Sequence, residues 1–178
     1  MKIHADAPVS FPRELTFATY RDELANLVPY LPNVKKIDVQ ESEENPEGQE
    51  NAVRKLNIWH ANAEIPKLAQ AVIKPNMLSW EDHALWDANA WTCDWKVKTH
   101  FFSERVSCSG KNQFVEENGR TILQIRGELN IDFKGLPGIP KLIANKVSSA
   151  LERFVVALLT PNLTSVSDGL EAYLKAKE

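Results

Sequence analysis

Asp82, Trp95 and Asn112 are the residues whose types and spacing suggest joint chemistry. They bring a carboxylate, an indole N–H and an amide to strands whose inward positions are otherwise mostly apolar. Apolar surroundings disfavour the charged form of an aspartate, so its pKa rises and it becomes a candidate proton acceptor or donor. The same three groups equally supply the few convergent polar contacts of a small-molecule pocket. A third reading has them satisfy one another in a closed core, since each buried polar group left unpaired costs roughly 1–3 kcal/mol. Other catalytic patterns are missing from the sequence. It has no Gly-x-Ser-x-Gly elbow, no phosphate loop and no His-x-x-x-His, and its four histidines (His4, His60, His83, His100) are scattered. Cys93 and Cys108 have no metal-type spacing and read as reduced, buried thiols. No metal or cofactor is implied.

The element that positions these groups is a hairpin. Asn118-Gly119 between two alternating runs is the signal for a two-residue type I′ turn, because both turn positions need positive φ. It pairs Glu117 with Arg120. One face then collects Phe114 with Leu123, Asn112 with Ile125, Gly110 with Gly127, Cys108 with Leu129 and Val106 with Ile131. The other face takes Gln113, Lys111, Arg126 and Glu128, so one side is apolar and the other wet. With turns centred on Ala88-Asn89 and Ser103-Glu104, the apolar face extends to Trp91, Cys93, Trp95, Val97, Thr99 and Phe101. It also gains Leu78, Trp80, Asp82, Ala84 and Trp86. His83 and His100 fall on the wet face. This extension predicts one layer of Asp82, Trp95, Asn112 and Ile125 and a next layer of Trp80, Val97, Gly110 and Gly127. Facing glycines leave a gap or mark a bend.

The chain of 178 residues is expected to form one domain, 1–178, and its net charge of −3 gives no reason to expect nucleic acid. No secretory pattern develops before Tyr20, and the longest apolar run, Phe154 to Leu159, is too short to span a bilayer. A soluble cytoplasmic protein is the expectation. Ile3 to Val9 reads as a strand. Pro12–Tyr20 and Asp22–Leu31 read as two short helices, the second closed by Pro29 and Pro32. Val34 to Val39 is a strand ending in the acidic turn Glu41 to Gly48. Asn51 to Ala61 is a strand whose inward face is open between its even and odd positions. In the insertion 63–75, Pro66 opens a helical pattern with Ile65, Leu68, Ala69 and Val72, and Pro75 stops it. Four strands follow, Leu78–Trp86, Trp91–Phe101, Val106–Glu117 and Arg120–Phe133, then a break at Gly135-Leu-Pro-Gly-Ile-Pro140. A helix over 139–160 carries Leu142, Ile143, Val147, Leu151, Phe154, Val155 and Leu158 as an apolar stripe. Thr160-Pro161 interrupts it, leaving an extension, 161–178, that either packs on the domain or docks a partner.

Strand, two short helices, six strands and a long helix resemble the START-like, birch-allergen-like helix-grip superfamily. The resemblance implies an α+β fold, a curved seven-stranded antiparallel sheet wrapped around the C-terminal helix, with a hydrophobic ligand between them. Trp80, Asp82, Trp95, Val97, Gly110, Asn112, Ile125, Gly127, Val147, Leu151 and Phe154 would line that cavity. Residues 51 to 131 also resemble the PRELI-type phospholipid-transfer family. The residues concerned are Arg54-Lys55-Leu56, Pro66-Lys67, Thr92 to Trp95, Glu104-Arg105 with Cys108, and Arg120-Thr121, while Glu64-Ile65 departs from that family's pattern. This implies a lid over the cavity, with Lys67, Lys74, Lys141 and Lys146 serving a headgroup. Independently, a pocket roofed by a helix needs a door, and the insertion (Ile65, Leu68, Val72) and the 135–140 loop (Leu136, Ile139) either form it or simply pack against the barrel mouth. Apolar residues there would touch a membrane surface while the lysines meet headgroups. Binding, and transfer between membranes, of a lipid or other hydrophobic small molecule is the functional expectation. The alternatives are a cyclase- or dehydratase-type enzyme using Asp82, and a protein-interaction module with a filled cavity.

Overall fold

The computed structural model describes residues 1–31 and 33–178. Pro32, read above as a helix end, lies outside the described residues. Seven strands form one antiparallel sheet in the order β1-β7-β6-β5-β4-β3-β2. They are β1 (Lys2–Val9), β2 (Val34–Glu44), β3 (Ala52–Ala61), β4 (Ser79–Asp87), β5 (Thr92–Thr99), β6 (Val106–Glu117) and β7 (Arg120–Ile131). Three α-helices complete the fold: α1 (Arg13–Asp22), α2 (Lys141–Thr164) and α3 (Val166–Ala176). This is the helix-grip architecture that the element order implies.

The hairpin register holds at every position. Glu117 faces Arg120, Asn112 faces Ile125, Gly110 faces Gly127 and Val106 faces Ile131. Asn118 and Gly119 both have positive φ, 54° and 77°, as a type I′ turn demands. The inward face of β4 and β5 is also as the alternation predicts, but the layers are not. Asp82 pairs with Val97, and Trp95 pairs with Ala84 on one side and Gly110 on the other. The β4–β5 connection is a four-residue loop, in which the Asp87 carboxylate accepts the N–H groups of Asn89 and Ala90 and Trp91 takes φ 56°. A left-handed Phe102 (φ 49°) likewise moves the β5–β6 pairing by two residues. An even shift preserves the face and changes the neighbours.

Other boundaries differ for local reasons. The strand expected to end at Val39 runs on to Glu44, with pairing irregularities at Val34/Lys36 and Val39/Glu41. The second expected helix is a 3-10 segment, Leu24–Tyr30, with Pro29 inside it. In the insertion the helical pattern yields only single turns, Ala69–Ala71 and Pro75–Met77. Helix α2 passes through Pro161 and ends at Thr164 rather than Thr160. The Asn162 amide donates to the Leu158 carbonyl at 2.7 Å and Thr164 Oγ1 to the Thr160 carbonyl at 3.0 Å within this last turn.

The core lies between the concave face and α2. Val147, Leu151, Val155, Leu158 and Leu159 are buried, each contributing about 1.5–3 kcal/mol of transfer energy. Leu142 and Ile143 head the sequence stripe but stand outside, 94% and 37% exposed. Helix α3 packs on the domain. Gly169 lies against Leu31, and the Tyr173 hydroxyl donates to Glu23. Helix α1 closes one end of the sheet, its Phe17 ring meeting Trp86, Trp91 and Phe114 edge-on at 5.1–5.3 Å.

Candidate functional site

A cavity of about 30 Å³ lies between the centre of the sheet and the last turns of α2. That is room for about two water molecules. Strand β4 contributes Trp80, Asp82, Ala84 and Trp86, and β5 contributes Cys93, Trp95 and Val97, alternate residues on one face. Trp59 comes from β3, Asn112 from β6, Tyr20 from α1, and Leu159, Asn162 and Leu163 from α2. Trp59 and Trp80 stack at 5.9 Å, nearly parallel, making one wall a flat aromatic surface.

Asp82 is the charged group of this space. Asn57 Nδ2 and Trp59 Nε1 both donate to its Oδ2 at 3.3 Å. Among the described residues no donor reaches Oδ1. Asp82 lies deep in the fold yet is only half-buried by surface, because its remaining surface faces the cavity. Burial pushes its carboxyl above the usual range, and the Asn57 and Trp59 bonds pull it partly back. Burial likewise raises the Tyr20 phenol far above its usual value, reinforced by the nearby Asp82 and Cys93 and opposed by the Asn112 amide. The Cys93 thiol is driven well up by burial and by Asp82. Trp95 Nε1 donates to Asn112 Oδ1 at 2.9 Å. Of the three sequence candidates, Trp95 and Asn112 therefore satisfy each other, and Asp82 draws its partners from β3.

The structure brings Trp80, Asp82, Trp95, Val97 and Asn112 together around this cavity. Gly110, Ile125, Gly127, Val147, Leu151 and Phe154 do not line it. The space at the glycine pair is filled by the Trp95 ring. A Cβ on Gly110 would lie 2.4 Å from Trp95 Cζ2, and one on Gly127 would lie 2.7 Å from Cη2. Val147, Leu151 and Phe154 are buried core residues nearer the start of α2.

None of the residues expected at the lid and mouth lines this cavity: Ile65 and Leu136 are buried, and Val72 and Ile139 are partly buried. Lys67, Leu68, Lys74, Lys141 and Lys146 are exposed, with the Lys74 ammonium on the Gln70 carbonyl at 3.2 Å. His83 and His100 lie on the outer side, bonded to Glu81 and Ser79.

Tyr20, Asn57, Trp59, Trp86, Cys93, Leu159, Asn162 and Leu163 were not among the sequence candidates. One signal was available for two of them. A buried Asp82 needs donors, and the odd positions of β3 offer an amide and an indole two residues apart.

Neither a family model nor a curated protein matches the chain, and the narrower likeness to the PRELI family finds no counterpart there. Solved structures do match. A Thermus thermophilus protein aligns over 100% of this chain and 99% of its own, with TM-score 0.68 and 20% identity. The Zhui aromatase/cyclase of a Streptomyces species aligns over 99% and 93%, with TM-score 0.62 and 17% identity. Norcoclaurine synthase of Thalictrum flavum aligns over 100% and 96%, with TM-score 0.60 and 14% identity. The likeness is one of fold.

Proposed function

We propose that this protein binds a small hydrophobic molecule carrying one polar group, in the cavity between the sheet and the last turns of α2. The observation that carries this reading is Asp82, a deep carboxylate turned toward a space walled by Tyr20, Trp59, Trp80, Trp86 and Trp95. Pockets for drug-sized ligands measure about 300–1,000 Å³, so the form described is a closed one. Admitting a ligand requires the sheet and the end of α2 to part. A two-chain phospholipid asks far more of that opening than a compact ring-bearing molecule does. The cytoplasm is the location this reading implies.

Native mass spectrometry of gently purified protein should reveal a small bound adduct, and an aromatic ligand should change tryptophan fluorescence on addition. Absence of both, together with no lipid movement between liposomes, removes the reading. A catalytic role rests on one observation, the raised pKa of a carboxylate facing the cavity. It requires that Asp82→Asn abolish turnover of a bound substrate while binding persists.

A further inference from the structure

We infer that the ligand of this cavity is a cation, a small amine with an apolar, ring-sized body, held by Asp82 against the indole walls. This inference rests on the binding reading above and names the chemistry of the occupant. Among the described residues, no lysine, arginine or histidine lines the cavity. Lys55, also on the inward side of β3, is already paired with Asp22 at 3.1 Å. His83, whose charge Asp82 feels, sits on the outer face against Glu81 at 2.7 Å. The carboxylate therefore has two neutral donors on Oδ2 and no counter-charge.

A buried carboxylate without a counter-charge is destabilised, and the Asn57 and Trp59 hydrogen bonds offset this only in part. The hydrogen-bonding around Asp82 is also short of donors. Asn57 is 2% exposed, and its Oδ1 is buried without a partner. Asn162 spends its amide N–H on the Leu158 carbonyl, so its Oδ1 remains an acceptor beside the cavity. An ammonium group answers the two features that face the cavity, the Asp82 carboxylate and the Asn162 oxygen, at once. It supplies charge and several N–H donors, and it is attracted to the face of an indole within about 6 Å of the ring centroid. A carboxylate ligand would meet Asp82 with like charge. A neutral alcohol would leave the charge uncompensated.

The test is calorimetric titration with isosteric probes, benzylamine, benzyl alcohol and benzoate, and with the larger pair 2-naphthylmethylamine and 2-naphthylmethanol. The expected result is that each amine binds at least tenfold tighter than its alcohol and that benzoate binds weakest. In Asp82→Asn the amine preference should vanish while alcohol binding stays within about twofold. The preference in the unsubstituted protein should also decline as the pH falls and Asp82 takes up its proton. Alcohols binding as tightly as amines overturn the inference and leave the binding reading standing. Failure of every probe in both series, with no adduct in the purified protein, overturns both.

Discussion

Asp82 shows what one residue in the wrong medium costs and what it signals. Its folded pKa lies above the ordinary aspartate value of 3.8. The folded state therefore binds this proton more tightly than the unfolded chain does. The associated stability is present below about pH 3.8 and is lost as the pH rises through the folded value. Asp82→Asn should accordingly raise Tm at neutral pH, and calorimetric scans at acid pH should show that gain disappearing. Burial pushes the Cys108 thiol up to about 12 and the Cys93 thiol well up too. Both should resist iodoacetamide at neutral pH until the protein is unfolded, because the thiolate is the reactive form. Rapid labelling in native buffer would contradict their placement.

At the scale of elements, the paired glycines of β6 and β7 are explained by β5. Trp95 lies directly opposite Gly110, and its indole covers both glycines. A Cβ at position 127 would meet Trp95 Cη2 at 2.7 Å and the Ser109 carbonyl oxygen at 2.9 Å. Overpacking of this kind costs about 1–3 kcal/mol, and for a chain of this length about 2–4 °C in Tm per kcal/mol. Gly127→Ala should lower Tm by several degrees. Trp95→Phe should recover part of that loss in the double variant, because the ring contact is relieved and the backbone contact is not. Full additivity of the two changes in a thermal melt would show that the ring does not occupy the glycine gap.

For the whole molecule, the end of the sheet where β3, β5 and β7 finish gathers the insertion, the 132–140 loop and the start of α2. Lys67, Lys74, Arg105, Lys134, Lys141 and Lys146 outnumber Glu64, Glu104 and Asp132 there, although the chain as a whole carries −3. Leu68, Met77, Leu142 and Ile143 are exposed at this end. Exposed apolar residues ringed by lysines suit a shallow contact with an anionic bilayer. Cosedimentation with phosphatidylserine-containing vesicles should be measurable at low salt, weaken as salt is added, and fall several-fold in Leu142→Asp. Equal binding to neutral vesicles would argue against this surface. Among the described residues no helix is long and apolar enough to cross a membrane.

The sequence by itself determined the element order, the hairpin register and the inward face of β4 to β7. Those follow from local rules, namely a turn with an obligatory conformation and a side-chain period of two. It also singled out Asp82, Trp95 and Asn112 as polar groups on an apolar face. Only the tertiary structure decided which of them meet. Loop lengths at Trp91 and Phe102 depend on left-handed residues that composition does not announce, and each moved the pairing by two positions. The face of β3 is undecided in the sequence because its even and odd positions are equally mixed, and only the tertiary structure turns Asn57 and Trp59 inward onto Asp82. The gap expected at Gly110 and Gly127 is closed by a ring from the neighbouring strand. The cavity lies instead beside the last turns of α2: strand alternation marks its sheet wall, Trp80 to Asn112, and only the tertiary structure brings Tyr20, Leu159, Asn162 and Leu163 against it.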